Sequence, residues 1–327
     1  VTASFGKILL SANPNPINCP QSKTIVTASL VNLEGDQVSD ELEVIFNASG
    51  GDMNPKTALL FRGETTSALS YDWSSPIFTT TVSASTQIEF EGKNIAIYNA
   101  IPVTFDGQFL DDFDSGLKPG WIEHPKSFPG STRWIVEGGK YKTRETGENE
   151  SINGCELLRN YEVLVNIQKS TNHAEGDYFG LILRSPSDLN NATSGYYMVR
   201  VVCFSCEGTN SSNHRYRLEL VDKQGSFDSI LTSVDLEPSE FSFLAGEDYT
   251  LKAIVADDVL IGKFWKSSEL EPSDNPAETP KQADPPEPAR NGRSIKTSNS
   301  SYSRGKIGLA SNTSKNNFDN LVVKPLS

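Results

Sequence analysis

Four aspartates offer the first chemistry in the sequence. Asp111, Asp112 and Asp114 follow one another closely in a turn-rich stretch, and Asp319 lies in a similar apolar stretch over residues 317–323. Ca²⁺ takes six to eight oxygen ligands, which clustered carboxylates and the carbonyls of a turn can supply. The alternative is a solvated acidic rim, since the chain has a net charge of −13. The four residues are therefore the candidate site for a structural calcium ion.

The four cysteines offer a second kind of chemistry. Cys203 and Cys206 are separated by two residues, which could form half of a zinc site. The sequence has no second pair with this spacing, and its three histidines lack the spacing of zinc ligands, so disulfides are favoured. A local Cys203–Cys206 bridge would leave Cys19 and Cys155 for a long-range bridge, which must cross between two domains or two molecules. We expect an oxidised chain.

Six Asn-X-Ser/Thr sequons are candidate sites of N-glycosylation. All lie in or beside predicted turns, where a glycan would meet no packing obstacle. They are Asn47, Asn149, Asn191, Asn210, Asn299 and Asn312. Together with the expected disulfides, this placement predicts an extracellular glycoprotein.

Composition limits the partners of this chain. Its 327 residues are 36% hydrophobic and 22% charged, which suits about two domains. The negative net charge argues against nucleic acid or an anionic membrane surface as a partner. The sequence has no apolar run of about 18 residues, so we expect no membrane insertion.

Residues 1–105 alternate short β-prone runs with turns rich in Pro, Gly and Asn. The turns recur about every ten residues, which is typical of a β-sandwich. A first strand, the turn Asn13-Pro-Asn-Pro16, a turn at residues 33–36 and a strand at residues 42–46 follow in this order. This order resembles the bacterial immunoglobulin-like domains of invasin-type and intimin-type adhesins. The resemblance implies an immunoglobulin-like sandwich over residues 1–105.

Residues 106–327 form a second, larger strand-rich region. Its motifs are, in order, DDFDSG, STRWIVEGGKY, YFGLILR, GYYMVRV, YTLKAIVADDVLIGKFW and GKIGLAS followed by FDNLVV. They resemble the concanavalin A-like lectin/glucanase jelly roll in its laminin-G-like branch. The resemblance implies that the first and last strands lie side by side and that a calcium ion pins them together. The expected fold class is therefore all-β, an immunoglobulin-like sandwich followed by a larger jelly-roll sandwich.

One segment departs from the jelly-roll pattern. Residues 268–304 contain six prolines and precede the penultimate predicted strand. Such a composition predicts an extended or disordered inserted loop.

The jelly-roll resemblance also implies a sugar site on the concave sheet, where aromatic rings and planar polar groups would contact a glycan. The candidates are Trp134, Arg184, Tyr196, Tyr197, Arg200, Tyr216 and Trp265. Because side chains alternate across a strand, about half of these residues must instead pack in the core. The catalytic glucanases of this superfamily carry a Glu-x-Asp-x-x-Glu strand, which this sequence lacks. We therefore expect no enzyme activity.

Two functions fit these features. The first is a secreted structural or adhesive protein, a subunit of a cell-surface appendage, filament or surface layer that binds copies of itself. The second is a lectin-like, carbohydrate-binding module that captures extracellular or cell-surface glycans.

The N-terminal segment gives the assembly hypothesis a mechanism. Residues 1–11 are β-prone, contain no proline and carry only Lys7 as a charged side chain, so they could add to the sheet edge of another copy. Phe5, Ile8 and Leu10 would then fill alternate pockets of that copy, and head-to-tail contacts of this kind build fibres. The alternative is that the segment is the first strand of its own sandwich.

Overall fold

The chain separates into two compact units, Val1–Gly107 and Gln108–Ser327. The computed structural model describes residues 6–18, 23–32, 34–38, 41–71, 77–90, 92–117, 119–124, 133–144, 146–154, 156, 158–186, 189, 195–206, 214–225, 227–238, 241–275, 292–313 and 315–326. The regular elements within these ranges are β-strands, which confirms the predicted all-β class. No helix in the described ranges is long and apolar enough to cross a membrane.

Unit 1 contains two sheets. Its strands are β1 (Lys7–Asn13), β2 (Ile17–Asn18), β3 (Lys23–Val31), β4 (Glu43–Ala48), β5 (Asp52–Asn54), β6 (Thr57–Leu59), β7 (Glu64–Ser70), β8 (Ile77–Phe90) and β9 (Lys93–Asp106). One sheet has the order β1-β3-β7-β5, and the other has the order β2-β9-β8-β4-β6. The immunoglobulin-like topology of this unit stays a prediction.

The core of unit 1 follows from the alternation of side chains along its strands. On β3, Val26, Ala28 and Leu30 are buried, and the residues between them are more exposed. The other sheet contributes Phe46 and Phe105, both fully buried. Burying an aromatic side chain stabilises a fold by about 1.5–3 kcal/mol, so these rings contribute strongly to this small core.

Strand β1 belongs to the sheet of its own unit. It pairs antiparallel with β3, with Ile8 opposite Leu30 and Leu10 opposite Ala28. Ile8 is only 2% exposed, so it fills its own sandwich rather than a pocket of a neighbouring copy. Phe5 lies outside the described residues. The structure thus corrects the assembly-strand hypothesis in favour of its alternative, and the filament prediction loses its mechanism.

Strand β8 is a continuous strand of 14 residues. It pairs along its whole length with β9, from Ile77 opposite Asp106 to Phe90 opposite Lys93. Residues 83–87 contain no Pro or Gly, and alternate positions at 82, 84 and 86 are buried. Without a turn residue, nothing interrupts the pleat.

Unit 2 also contains two sheets. Its strands are β10 (Phe109–Asp111), β11 (Ile122–His124), β12 (Trp134–Glu137), β13 (Lys140–Thr143), β14 (Asn149–Asn153), β15 (Tyr161–Lys169), β16 (Tyr178–Ser185), β17 (Gly195–Ser205), β18 (Arg215–Gln224), β19 (Phe227–Leu236), β20 (Asp248–Ala256), β21 (Val259–Lys266), β22 (Gly292–Ser298), β23 (Lys306–Ser311) and β24 (Asn316–Pro325). The eight-stranded sheet has the order β12-β13-β24-β15-β20-β21-β22, with β10 beside β24, and the seven-stranded sheet has the order β11-β14-β23-β16-β17-β18-β19.

The first and last strands of unit 2 lie side by side. β10 pairs antiparallel with β24, with Phe109 opposite Val323 and Asp111 opposite Leu321. This pairing confirms the expectation from the two apolar stretches that carry aspartates. The ends of unit 2 are therefore joined within one sheet.

A cluster of aromatic rings fills the space between the two sheets of unit 2. The ring of Phe179 on β16 lies 5.6 Å from that of Phe264 on β21 and 5.4 Å from that of Phe243. The Phe243 ring lies 4.6 Å from that of Tyr249 on β20. Ring pairs at such distances add about 0.5–1.5 kcal/mol to the effect of burial alone. This cluster marks the inner faces of both sheets.

The proline-rich segment is only partly a loop. Within residues 268–304, β22 pairs with β21 from Val259 opposite Ser298 to Trp265 opposite Gly292. Pro272 is buried, and residues 276–291 lie outside the described ranges. The expectation of a single inserted loop is therefore wrong for residues 292–298, which extend the eight-stranded sheet.

Candidate functional site

The outer face of the seven-stranded sheet carries a group of buried charged side chains, among them Glu150, Glu219 and Lys223. On β17, Val199 faces the inner core, because a Cβ on Gly262 of β21 would come within 2.8 Å of it. Tyr196, Met198 and Arg200 therefore lie on the opposite, outer face. We call this face the trough and define it by His124, Glu148, Glu150, Tyr178, Tyr196, Arg200, Glu219, Lys223 and Asp228.

Strand register explains how distant parts of the sequence meet in the trough. One row of paired residues runs across five strands, namely Glu150, Ala310, Gly180, Arg200 and Glu219. The residues in the middle of the row, Ala310 and Gly180, have little or no side chain. The residues at its two ends are charged. The row therefore forms a floor of small residues between charged walls.

The trough is strongly curved. Tyr196 on β17 donates a hydrogen bond to Glu150 on β14, although β16 and β23 separate these strands in the sheet. In a flat sheet, three strand spacings would place the two backbones about 14 Å apart. Lys223 on β18 likewise reaches Glu148, with Nζ 3.1 Å from Oε1. Side chains therefore bridge the trough from wall to wall.

Glu150 is the acidic centre of one wall. It is 3% exposed, and its Oε2 atom lies 3.2 Å from Nδ1 of His124. Burial and the neighbouring Glu150 carboxylate raise the pKa of Tyr196 well above its usual value, so Tyr196 keeps its proton and acts as the donor. This wall therefore holds a carboxylate between a phenol and an imidazole.

The opposite wall is a network of charges. Arg200 donates from Nε to Glu219 at 2.8 Å and from Nη1 to Asp228 at 2.5 Å, and Lys223 lies 3.2 Å from Asp228. Burial alone would raise the pKa of Asp228, but Lys223 and Arg200 outweigh it and hold that pKa below its usual value. Asp228, Arg200 and Lys223 therefore stay ionised at neutral pH.

Tyr178 lies between the two walls with an unused hydroxyl. Its side chain is 6% exposed, and its hydroxyl has no hydrogen-bond partner within the described residues. The guanidinium carbon of Arg200 lies 5.4 Å from the centre of its ring. Burial and the carboxylates of Glu148 and Glu150 raise the pKa of Tyr178, so the group is a protonated donor. An unpaired buried hydroxyl costs about 1–3 kcal/mol of folding free energy, which a hydrogen-bonding ligand would offset.

An apolar cluster fills the other end of the trough. Ile152, Ile182, Met198 and Val221 pack together there, and Leu189 from the β16–β17 connection packs against them. At the charged end, the side chains of Asp228 and Glu148 remain 26% and 57% exposed. Access from solvent is therefore through the charged end.

Two of the seven predicted glycan-binding residues, Tyr196 and Arg200, lie in the trough. Three predicted aromatic contacts lie elsewhere and are buried, namely Trp134, Tyr197 and Trp265. The Trp134 ring stacks 4.8 Å from that of Tyr141, and the Tyr197 hydroxyl lies 2.8 Å from Oδ1 of Asn299. Tyr216, the further candidate, is also buried in the core. These aromatic residues serve packing, and their assignment to a sugar site is wrong.

Arg184 is likewise a structural residue. Its guanidinium donates to the backbone carbonyls of Arg159, Asp257 and Tyr302 at 2.6–3.3 Å. The side chain is fully engaged with three loops and does not reach the trough. Its prediction as a glycan contact is wrong.

The trough residues that sequence reasoning missed come from separate strands. Glu150, Tyr178, Lys223 and Asp228 lie on β14, β16, β18 and β19. One available signal was the charge of Glu219 between Leu218 and Leu220 on β18. The sequence does not show which of these charges meet.

The predicted calcium ligands near β10 are occupied by other contacts. Asp111 is fully buried and accepts hydrogen bonds from the Trp121 ring nitrogen at 2.8 Å and the Phe113 amide at 3.1 Å. Asp112 accepts one from the amide of Asp114 at 3.3 Å. These carboxylates cap a turn.

The fourth predicted ligand, Asp319, forms an ion pair with Lys140. Among the described residues, one group of three side chains lies close enough together to hold a metal ion. None of the four aspartates belongs to this group. They do not fit Ca²⁺, which requires six to eight converging oxygens. Calcium binding therefore stays a prediction, and these four residues do not form a site for it.

The six sequons have different environments. Asn149 is fully buried in β14, and its amide donates to the carbonyl of Gly147 at 2.6 Å, so it cannot carry a glycan in this fold. Asn47 is exposed on β4. The side chains of the partly exposed Asn299 and Asn312 are hydrogen-bonded. Asn191 and Asn210 lie outside the described residues.

A disulfide joins Cys203 and Cys206, whose Cα atoms are 5.9 Å apart. This is the local pairing that the sequence favours, and Cys19 and Cys155 lie outside the described residues. The structure also brings the His214 ring to this pair, so that each ligand atom lies within 4.8 Å of the others. The spacing of the histidines in the sequence does not indicate this approach.

The sequence matches no known protein family and no curated protein. Among solved structures, the chain is similar to the carbohydrate-binding module CBM66 from Bacillus subtilis, with 14% identity, 63% of this chain and 95% of that chain covered, and a TM-score of 0.40. It is similar to the VIP36 exoplasmic/lumenal domain in its Ca²⁺/Man3GlcNAc-bound form, with 10% identity, 68% and 89% covered, and a TM-score of 0.43. It is also similar to winged bean acidic lectin complexed with methyl-α-D-galactose, with 8% identity, 66% and 96% covered, and a TM-score of 0.41. No function is transferred from similarities at this level.

Proposed function

We propose that unit 2 is a carbohydrate-binding module and that the charged end of the trough is its binding site. The observation that carries this proposal is the Tyr178 hydroxyl, which is buried without a partner among the described residues. The guanidinium of Arg200 lies over the Tyr178 ring, and the carboxylates of Glu148 and Glu150 are close enough to raise the pKa of the hydroxyl. A sugar hydroxyl placed there would accept from Tyr178 and donate to a carboxylate.

The chemistry of the walls suits a neutral polyhydroxylated ligand. Carboxylates and guanidinium groups form strong, directional hydrogen bonds with hydroxyl groups. The mutual ion pairs of Arg200, Asp228 and Lys223 fix these groups in place, which reduces the entropy that a ligand must lose on binding. The excess of acidic over basic groups disfavours an anionic ligand such as a phosphate.

The module is proposed to bind without cleaving its ligand. Glycoside hydrolysis needs a carboxylic acid with a raised pKa opposite a second carboxylate. Asp228 has a lowered pKa, and Glu150 is shared between Tyr196 and His124. Neither group has the environment of a general acid.

The proposed setting is extracellular, where the module would attach its chain to glycans of a cell surface. The Cys203–Cys206 disulfide supports this setting, because disulfides persist in oxidising compartments. Adhesion would then follow from glycan capture by unit 2.

Two tyrosine substitutions test the proposal. Tyr178→Phe removes a hydroxyl that has no partner among the described residues, whereas Tyr197→Phe removes one that is bonded to Asn299 and Tyr302. We expect Tyr178→Phe to lower affinity for a glycan at least about 10-fold while leaving the thermal midpoint unchanged or raised. Tyr197→Phe should lower the thermal midpoint and leave affinity unchanged.

The measurement is a screen of the intact chain on immobilised plant, animal and microbial glycans, followed by titration calorimetry with the best ligand. Failure to bind any glycan would contradict the proposal. Equal affinity of Tyr178→Phe and the unaltered chain would show that the binding site lies outside the trough.

A further inference from the structure

The connection between β17 and β18 brings three soft metal ligands together. Cys203 is on β17, Cys206 follows its last residue, and His214 immediately precedes β18. Cys203 pairs with Tyr216, and Ser205 pairs with Arg215, so this end of the hairpin places Cys206 and His214 across from each other. The two sulfur atoms and an imidazole nitrogen all lie within 4.8 Å of one another.

The set matches the coordination chemistry of zinc. Two thiolates and one imidazole are ligands that Zn²⁺ prefers, and ideal bond lengths place two ligand atoms of a tetrahedral zinc about 3.5–3.8 Å apart. Shifts on the order of 1 Å would bring the three side chains to these distances. The hard oxygen ligands that Ca²⁺ or Mg²⁺ requires are not part of this set.

The disulfide and a metal ion exclude each other at this position. In the structure, the two sulfur atoms are bonded to one another. Zinc binds thiolates, and a sulfur atom within a disulfide carries no thiolate charge. At this position, either Cys203 and Cys206 form the disulfide or they bind a metal ion together with His214.

We propose that reduction of the Cys203–Cys206 disulfide creates a zinc site formed by Cys203, Cys206 and His214. A trialkylphosphine supplies the two electrons, breaks the S–S bond and becomes a phosphine oxide with the oxygen of a water molecule. The two protons of that water pass to the two sulfurs, and zinc binding releases them to solvent. A dithiol achieves the same reduction by becoming a disulfide itself.

This site is independent of the proposed carbohydrate site. Cys203 has the same orientation as Val199 and Val201, towards the inner core, whereas the trough lies on the outer face of the same strand. Zinc would replace the disulfide as the brace of this hairpin end when the environment becomes reducing. A failure to detect glycan binding would therefore not count against the zinc site.

The test compares zinc binding by the intact chain before and after treatment with the phosphine, using competition with a chromophoric zinc chelator. We expect one zinc ion per reduced chain and none per oxidised chain. His214→Ala should weaken binding at least about 100-fold, because loss of a direct ligand exceeds the 10–100-fold cost of losing an outer-shell contact. With Co²⁺ as the probe, the reduced chain should show sulfur-to-cobalt charge-transfer absorption.

Two controls identify the ligands. The double substitution Cys19→Ser and Cys155→Ser, and separately His124→Gln in the trough, should leave zinc affinity unchanged. If His214→Ala does not fold, zinc should still slow alkylation of Cys203 and Cys206 in the reduced, unaltered chain, as read from peptide masses. Absence of zinc binding after reduction, or binding that survives Cys203→Ser with Cys206→Ser, would overturn the proposal.

Discussion

Two buried lysines in unit 2 have opposite electrostatic environments. Lys169 is 0% exposed on the inner side, where its Nζ atom lies 5.1 Å from the centre of the Phe243 ring and 5.7 Å from that of Tyr216. Burial lowers the pKa of Lys169 to about 8. A cation in this position is stabilised by aromatic rings and by one long contact with the Tyr216 hydroxyl at 3.4 Å.

Lys223 is 3% exposed on the outer side and has two carboxylate partners. Its Nζ atom lies 3.1 Å from Glu148 and 3.2 Å from Asp228. Burial lowers the pKa of Lys223, but Asp228 and Glu148 outweigh burial, so the pKa lies above its usual value.

The difference shows that equal burial does not imply equal charge. The inner core accepts a lysine that can lose its proton at mildly alkaline pH, whereas the trough holds its lysine charged. Accessible area alone does not distinguish the inner face of this sheet from its charged outer face. The number and kind of polar partners do.

The same substitution at both lysines should separate the two faces most clearly. Lys223→Met removes charge-assisted hydrogen bonds to Glu148 and Asp228, and we expect a loss of about 3 kcal/mol in the free energy of unfolding at pH 7. Lys169→Met removes a buried cation that has no carboxylate partner among the described residues, and we expect no loss or a gain. Urea unfolding of both variants measures this, and losses of equal size would contradict the comparison.

The pH dependence of stability provides the next largest effect. The unfolded chain holds a proton on Lys169 up to about the ordinary lysine pKa of 10.5, and the folded chain releases that proton near 8. Between these values the unfolded state binds more protons, so stability rises with pH at up to about 1.4 kcal/mol per unit from this group. The contribution of Lys169 to the free energy of unfolding is therefore lowest below pH 8.

Urea unfolding at several pH values between 7.5 and 10.5 measures this slope. Subtracting the curve of Lys169→Met removes the contributions of other titrating groups. A difference curve without slope would show that Lys169 stays protonated in the folded chain.

The smallest effect is expected at acid pH in the trough. The folded pKa of Asp228 lies below its usual 3.8, so its stabilising contribution is complete above pH 3.8 and is lost as pH falls through the folded value. Asp228→Asn should flatten this acid decline and cost less than about 1 kcal/mol at pH 7, since its side chain is 26% exposed. Thermal midpoints between pH 2 and 7 provide the check, with Asp235→Asn on the same strand as the control.

Local sequence signals were sufficient to predict most strands and tight turns. Gly138 and Gly139 both adopt positive φ, at 61° and 71°, between β12 and β13, and Asp257 adopts a φ of 52° between β20 and β21. Turns that require such backbone angles select Gly, Asn and Asp, so they leave a mark in the sequence. Strand β22 was not predicted, because Ile295 is its only large apolar residue and prolines dominate the preceding segment.

The trough was less predictable because its contacts depend on register between distant strands. Tyr196 and Arg200 could be proposed because their types suit sugar binding. Their partner Glu150 faces them only because β23, from the end of the chain, inserts between β14 and β16. No local pattern encodes that insertion. His214 was missed for a related reason, since its approach to the cysteine pair depends on how the β17–β18 hairpin closes.

The glycine floor limits which side chains the trough could gain during evolution. A Cβ at Gly180 would lie 2.6 Å from the carbonyl oxygen of Val199, and one at Gly308 would lie 2.4 Å from that of Ser151. Both obstacles are backbone atoms of adjacent strands, so neither glycine can gain a side chain without distorting the sheet. The shape of the trough can therefore diversify through Ala310 and the charged walls, while its depth remains fixed by the curvature of the sheet itself.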